Sequence, residues 1–142
     1  CSCSLQDFLF YICCLEFIKR ISGETCDHPV GIFYVEHLEL NSNARPEITV
    51  NLDSIENYDH IFIGYPIWWD EAPMVIDTFL ESYDFSGKTI IPFCTSASDP
   101  IDNSLHIFQE LAPDAVIEEG FTANDTADIQ PWLESLGYAA GQ

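Results

Sequence analysis

Basic residues are what this chain has least of. Four Lys and Arg stand against 24 Asp and Glu, a formal net charge of −20. Nucleic acid is excluded as a partner, because phosphate contacts need a basic face that four scattered cations cannot build. An anionic membrane surface is excluded on the same ground. The surplus of acid leaves two readings open: plain solubility, or a field that draws in a basic protein partner. Long apolar runs are missing too. None approaches the ~20 residues of a membrane span, the nearest being Phe8–Leu15. There is no internal repeat and no low-complexity tract. Six cysteines are present (Cys1, Cys3, Cys13, Cys14, Cys26 and Cys94), but in no zinc or redox spacing. No metal site is expected, and reduced thiols in a cytoplasmic protein are. The chain starts at Cys1 rather than Met, so a fragment or a processed product is expected.

What is there suits one compact domain spanning residues 1–142. A hydrophobic fraction of 47% and an aromatic fraction of 13% argue against disorder, and the length allows a real core. The most informative stretch is Ile61-Phe62-Ile63-Gly64-Tyr65-Pro66-Ile67-Trp68-Trp69-Asp70-Glu71-Ala72-Pro73. Apolar β-formers up to Tyr65 predict a buried strand. Pro66 ends it, having no N–H to give to a ladder. Two adjacent tryptophans then fall on a loop at the strand's carboxyl end, where open α/β sheets bind ligands. Either both indoles pack into a core, or they form a stacking wall for a planar cofactor.

Beyond residue 60 the punctuation is regular. Strands are expected at His60–Tyr65, Lys88–Cys94 and Ala115–Phe121. Helices are expected at Ala72–Ser82, Asn103–Leu111 and Ala127–Leu136. Met74, Ile76, Phe79 and Leu80 should form the buried side of the first helix. Pro131 is tolerable only in the first turn of the last, and Gly137 reads as its C-cap. Thr95–Asp102 is a polar loop, and Pro92 is awkward for a central strand. The alternation predicts right-handed crossovers and a parallel sheet, an α/β fold. The first 59 residues are less regular. Leu5–Ile21 reads mostly as helix, with Phe8–Cys13 a strand as the alternative. Gly31–Leu38 is ambiguous, Asn41–Glu47 a loop, and Asn51–Asp59 a connection.

Several ordered segments resemble one family. They are Asn43-Ala44-Arg45-Pro46-Glu47-Ile48, Tyr58-Asp59, Gly64–Trp69, Ala72-Pro73 and Thr78-Phe79-Leu80-Glu81. Further on come Phe85-Ser86-Gly87-Lys88-Thr89, Ile91-Pro92-Phe93-Cys94-Thr95-Ser96, Trp132-Leu133 and Leu136-Gly137. Residues 43–138 thus resemble the flavodoxin-like FMN-binding proteins, especially short flavodoxins with a Tyr-Pro-Ile-Trp-Trp loop. Residues 1–42 form a divergent or truncated amino-terminal part. The resemblance implies a flavodoxin-like three-layer sandwich with a parallel sheet, and the family carries a proline at Pro92 as well.

The family holds FMN with three loops. Its second corresponds to Pro66–Asp70, whose tryptophans pack against the isoalloxazine. Its third begins at Thr95-Ser96 and normally runs through glycines, so that backbone groups approach the flavin edge. Here Ala97 replaces a glycine and Asp99-Pro100 replaces a Ser-Gly pair. Were Ala97 held at positive φ, the strain would be roughly 1 kcal/mol or more. The first loop is the large departure, because the family's opening strand and Gly-Asn-Thr phosphate turn are not found. The nearest stretch, Ser22-Gly23-Glu24-Thr25, follows no clear strand, precedes Pro29, and aims Glu24 at a dianionic phosphate. The opening strand and phosphate loop are therefore expected to be missing or rewritten, with Leu15–Ile21 ending the family's first helix.

In the flavodoxin strand order 2-1-3-4-5 the first strand is central. Without it the strand at 60–65 would be an exposed edge. Phe8–Cys13 fills the gap, or a second copy does and makes a homodimer, or the domain is compromised.

The resemblance implies FMN-dependent electron transfer: an electron carrier or oxidoreductase when flavin is bound, partnered by a basic redox protein. The implied cofactor-binding residues are Pro66, Ile67, Trp68, Trp69, Asp70, Thr95, Ser96, Ala97 and Ser98, with no catalytic side chain. The alternative is a remnant without flavin that acts through protein contact. A hydrolase built on Ser96, Ser98, Asp102 and His106 lacks the Gly-x-Ser-x-Gly elbow. His106 then reads as a helix-surface residue, and Asp70 and Glu71 as acids at a helix start.

Overall fold

The computed structural model describes residues 8–12, 40–48 and 54–138. The expectations for Leu15–Ile21, Ser22–Thr25, Gly31–Leu38 and the five amino-terminal cysteines lie outside those residues. Among the described residues, five parallel strands form one sheet: β1 (Phe8–Ile12), β2 (His60–Pro66), β3 (Thr89–Thr95), β4 (Val116–Ile117) and β5 (Phe121–Thr122). The helices are α1 (Met74–Ser82), α2 (His106–Leu111) and α3 (Thr126–Ser135), with a 3-10 helix at Ile101–Ser104.

The helical reading of Leu5–Ile21 fails over Phe8–Ile12. That segment lies beside β2 from Phe8↔His60 to Ile12↔Gly64. A short apolar run carries no period that separates a strand from a buried helix, so neighbours decide. Here the neighbour is β2, whose edge is thereby occupied by the same chain.

The sheet has two unlike faces, because alternate residues of a strand point opposite ways. One buries Ile61, Ile63 and Tyr65 of β2 with Ile90 and Cys94 of β3 against α1 and α2. Met74, Ile76, Phe79 and Leu80 are buried there, as their spacing predicts. The opposite face carries Phe62, Gly64 and Phe93 beneath α3 and Tyr138. Trp132 stacks on Phe121 at 4.6 Å and 11°, and meets Phe62 and Phe93 edge-on or tilted. A Cβ on Gly64 would lie 2.3 Å from the Phe93 ring, so only glycine lets that ring cross β2.

The last helix departs from expectation at its proline and agrees with it at its end. Pro131 stands in the second turn of α3, which starts at Thr126 after Asp125 has capped Ala127 N–H. Gly137, at φ 86°, closes α3 as read from the sequence. The Gly137 and Tyr138 N–H groups donate to the Glu134 and Leu133 carbonyls, a Schellman motif. This turn lays Tyr138 against Phe62, ring centroids 5.5 Å apart.

The strand expected at Ala115–Phe121 is broken. β4 pairs with Thr89-Ile90 and β5 with Phe93-Cys94, so three residues, Glu118–Gly120, oppose two, Ile91 and Pro92. This is a β-bulge of one extra residue. The break answers the proline. Carbonyls of Lys88, Ile90 and Cys94 face the β4–β5 side, accepting from Val116, Glu118 and Ala123. In a parallel strand Pro92 therefore turns its missing N–H to the same side, opposite the bulge, where no ladder bond is lost.

Candidate functional site

The carboxyl ends of β2 and β3 bring the two predicted loops together. Pro66 pairs with Thr95, and Ile67 N–H donates to the Thr95 carbonyl at 2.9 Å. From there the chain makes a tight turn. Trp68 and Glu71 exchange both backbone bonds, at 2.8 and 3.0 Å. The residues between them, Trp69 and Asp70, have φ of 52° and 70°. Two positive φ values in succession are the mark of a type I′ turn, which favours Asn, Asp or Gly. Asp70 suits it; Trp69 is held in it at a cost of about 1–2 kcal/mol. Ala97 escapes such strain, since its φ is not positive.

The two indoles divide the readings between them. Trp68 is half-buried and packs with Ile67 against the core, whereas Trp69 is 55% exposed. Asp70 and Glu71 do not cap α1, correcting the helix-start reading. Pro73 holds the N-cap position with no side-chain cap bond, and α1 begins only at Met74. Asp70 instead accepts from Asn103 Nδ2 at 2.5 Å, and Glu71 faces His106 Nε2 at 3.7 Å. Burial pushes the Glu71 carboxyl above its ordinary range, with His106 opposing the shift. His106 is half-exposed at the start of α2, its Nδ1 bonded to the Asn103 carbonyl.

The third loop is pinned at both ends by residues that sequence reasoning missed. Asn124, just after β5, donates from Nδ2 to the Ser96 carbonyl at 2.6 Å and accepts the Ser96 N–H at 3.0 Å. Ser96 thus has no backbone N–H left for a flavin edge, which corrects that part of its expected role. Its hydroxyl is another matter. Ser96 Oγ is the only buried side-chain N or O among the described residues without a hydrogen-bond partner, and such orphans call for a missing group. Thr95, Ala97 and Ser98 are exposed, and Ser98 Oγ turns to Asp99 at 3.3 Å. At the far end, the Tyr65 hydroxyl donates to Ser104 Oγ at 2.9 Å, which donates on to the Ile101 carbonyl at 2.8 Å. Burial drives the Tyr65 phenol well above its ordinary range, so it remains a neutral donor.

The mouth of these loops is acidic. Asp70, Asp99, Asp102 and Asp125 sit on them or beside them, while the described cations are committed elsewhere. Arg45 forks onto Glu81 at 2.8 and 2.9 Å and approaches Asp77 at 3.6 Å. Lys88 donates to the Glu56 and Tyr58 carbonyls. A cavity of about 280 Å³ between α1, α2 and residues 40–45 is lined by Arg45, Glu71, Asp77, His106 and Glu110, among others. None of the residues expected to touch flavin lines it. Among the described residues no His, Cys, Asp and Glu group is placed to hold a metal ion, and no helix is long and apolar enough to cross a membrane.

The residues present fit the ring end of a flavin: an exposed indole on a rigid turn, with an orphaned buried hydroxyl on the adjacent loop. A parallel sheet with helices on both faces is the doubly wound α/β architecture that includes the flavodoxin-like folds, and the aromatic turn lies at the carboxyl edge where such sheets bind ligands. The flavodoxin family model matches residues 35–136, and the chain belongs to that family. A flavoprotein candidate from Bacteroides eggerthii DSM 20697 is 40% identical over 72% of this chain and 67% of its own, with a TM-score of 0.65. Another from Bacteroides uniformis ATCC 8492 is 37% identical over 70% and 66%, with a TM-score of 0.64. The chain therefore spans about two thirds of their length. A flavoprotein from Lactobacillus acidophilus NCFM, solved in complex with FMN, shares the fold at 21% identity and a TM-score of 0.60. It covers 88% of this chain and 96% of its own. No curated protein matches this chain.

Proposed function

We propose that this chain is a cytoplasmic electron carrier that takes FMN at the carboxyl edge of its sheet. The observation that carries the reading is the Trp68–Glu71 turn, strained at Trp69, leaving the strand end paired with the one that leads to the unsatisfied Ser96 hydroxyl. FMN, when bound, supplies the redox chemistry at its ring system. The chain's part is to bind and tune. Trp69 covers one ring face, Trp68 backs it from the core, and Pro66 and Ile67 set the loop path. Asp70 holds the turn, Thr95 and Ala97 carry the backbone past the ring edge, and the Ser96 and Ser98 hydroxyls meet polar atoms there. The acidic mouth disfavours added negative charge on the cofactor, holding its potential down, and steers a basic redox partner. The complex between FMN and the Lactobacillus acidophilus protein of the same fold supports the choice of cofactor.

The test is a titration of the purified protein into FMN and, in parallel, riboflavin, following flavin fluorescence. Quenching of both with equal affinity means the ring site works without a phosphate cradle. Tighter binding of FMN means that Leu5–Thr25 builds a phosphate cradle. Absence of quenching by a folded sample refutes the electron-carrier reading and leaves a protein-contact role for the exposed Trp69 surface.

A further inference from the structure

We infer that Asn103 is the positioning residue of the flavin-facing turn, setting the gap in which the ring stacks. The inference rests on the flavin reading above. The geometry is a closed circuit. Tyr65 ends the buried part of β2, and the chain runs from it through Pro66 and Ile67 to the turn at Asp70. Asp70 returns through a 2.5 Å bond to Asn103 on the 3-10 helix. The next residue, Ser104, is fully buried and bonded to the Tyr65 hydroxyl, which closes the ring.

Each link has a distinct physical role. Tyr65 and Ser104 fix the 3-10 helix to the core, so Asn103 is carried on a rigid base. Asn103 offers a neutral amide to a carboxylate, a charge-assisted bond stronger than most neutral ones. Asp70 is where such a bond has most leverage. Its backbone is at φ 70° beside Trp69 at φ 52°, and left to itself the turn relaxes toward negative φ. Releasing it lets the Trp69 indole shift relative to the loop that begins at Thr95 and Ser96. Asn103 need not touch the flavin. It acts through Asp70.

The experiment uses the full chain labelled with 5-fluorotryptophan, whose three fluorine signals are assigned by Trp→Phe variants. Asn103→Ala, Asp70→Ala, the double variant and Asp70→Asn are compared without flavin and then with riboflavin, which does not depend on a phosphate site. Expected is a shifted or broadened Trp69 signal in flavin-free Asn103→Ala, with the Trp132 signal unchanged. Riboflavin affinity should fall by about 5- to 20-fold. The double variant should lose no more than Asp70→Ala alone, and Asp70→Asn, which keeps an acceptor but not its charge, should fall between the parent and Asp70→Ala. An unmoved Trp69 signal in folded Asn103→Ala overturns the inference, as do losses that add in the double variant. Failure of the parent to bind riboflavin is a different result. It overturns the flavin role of the latch together with the reading beneath it, while the fluorine spectra still decide whether Asn103 holds the turn.

Discussion

Replacing Tyr65 or Ser104 should have unequal costs, and the inequality follows from which polar group each change strands. Tyr65 is 2% exposed and Ser104 is fully buried. In Tyr65→Phe the hydroxyl leaves, but Ser104 Oγ still donates to the Ile101 carbonyl. One neutral hydrogen bond is lost and no buried donor is orphaned, a cost of about 1 kcal/mol. In Ser104→Ala both neighbours lose their partner. The Tyr65 hydroxyl is stranded in a site where burial already disfavours any charged form, and the Ile101 carbonyl is stripped. An unsatisfied buried group costs about 1–3 kcal/mol, so the sum should reach about 2–4. The double variant has no tyrosine hydroxyl to strand and should cost less than the two singles together by about 1 kcal/mol. Urea unfolding followed by tryptophan fluorescence and far-ultraviolet circular dichroism measures all three. A Tyr65→Phe cost above that of Ser104→Ala, or strict additivity, would refute the accounting of donors and acceptors.

Asp77 is buried and its carboxyl is raised by desolvation, with Arg45 pulling the other way. A raised acid stabilises the fold below its ordinary pKa and loses that contribution as pH rises through the folded value. Asp77→Asn should therefore stabilise the protein at pH 7 relative to the parent, the gain vanishing near pH 3.8, the ordinary aspartate value, in midpoints measured across that range. Gly64→Ala should cost about 1–3 kcal/mol by overpacking against Phe93, and most of that should disappear in a Phe93→Leu background. Pro131→Ala should restore the missing second-turn bond of α3 and raise stability by about 1–3 kcal/mol, read as a higher urea midpoint.

Much of this fold is written in local chemistry. Proline at 66, glycine at 137 and the spacing of Met74, Ile76, Phe79 and Leu80 each dictate structure within a few residues of themselves. The aromatic turn was legible for the same reason: two indoles after a strand-ending proline have few other uses. What was hidden depends on distant partners. Asn103 finds Asp70 across 33 residues and Asn124 finds Ser96 across 28, and an isolated asparagine carries no sign of either. A polar residue just after a strand's carboxyl end was the one available hint at Asn124. Phe8–Ile12 stayed ambiguous because five apolar residues fit two periods equally well. The break after Ile117 was hidden too, since Glu118-Glu119-Gly120 is as compatible with a strand's end as with its interruption.

That break has a consequence for how the molecule can change. Pro92 and the extra residue opposite it form a lock-and-key pair within one sheet. Exchanging the proline for valine would offer an N–H to a stretch with no carbonyl in register. Deleting one bulge residue would instead slide a carbonyl up to a ring that cannot answer it. Only a simultaneous change heals the strand. The healed strand would also withdraw Gly120, whose absent Cβ would lie 2.9 Å from Ile101, from beneath the 3-10 helix. A lesion in the middle of the sheet is thus the footing of the loop at its edge, and smoothing it would unseat the 3-10 helix that carries Asn103.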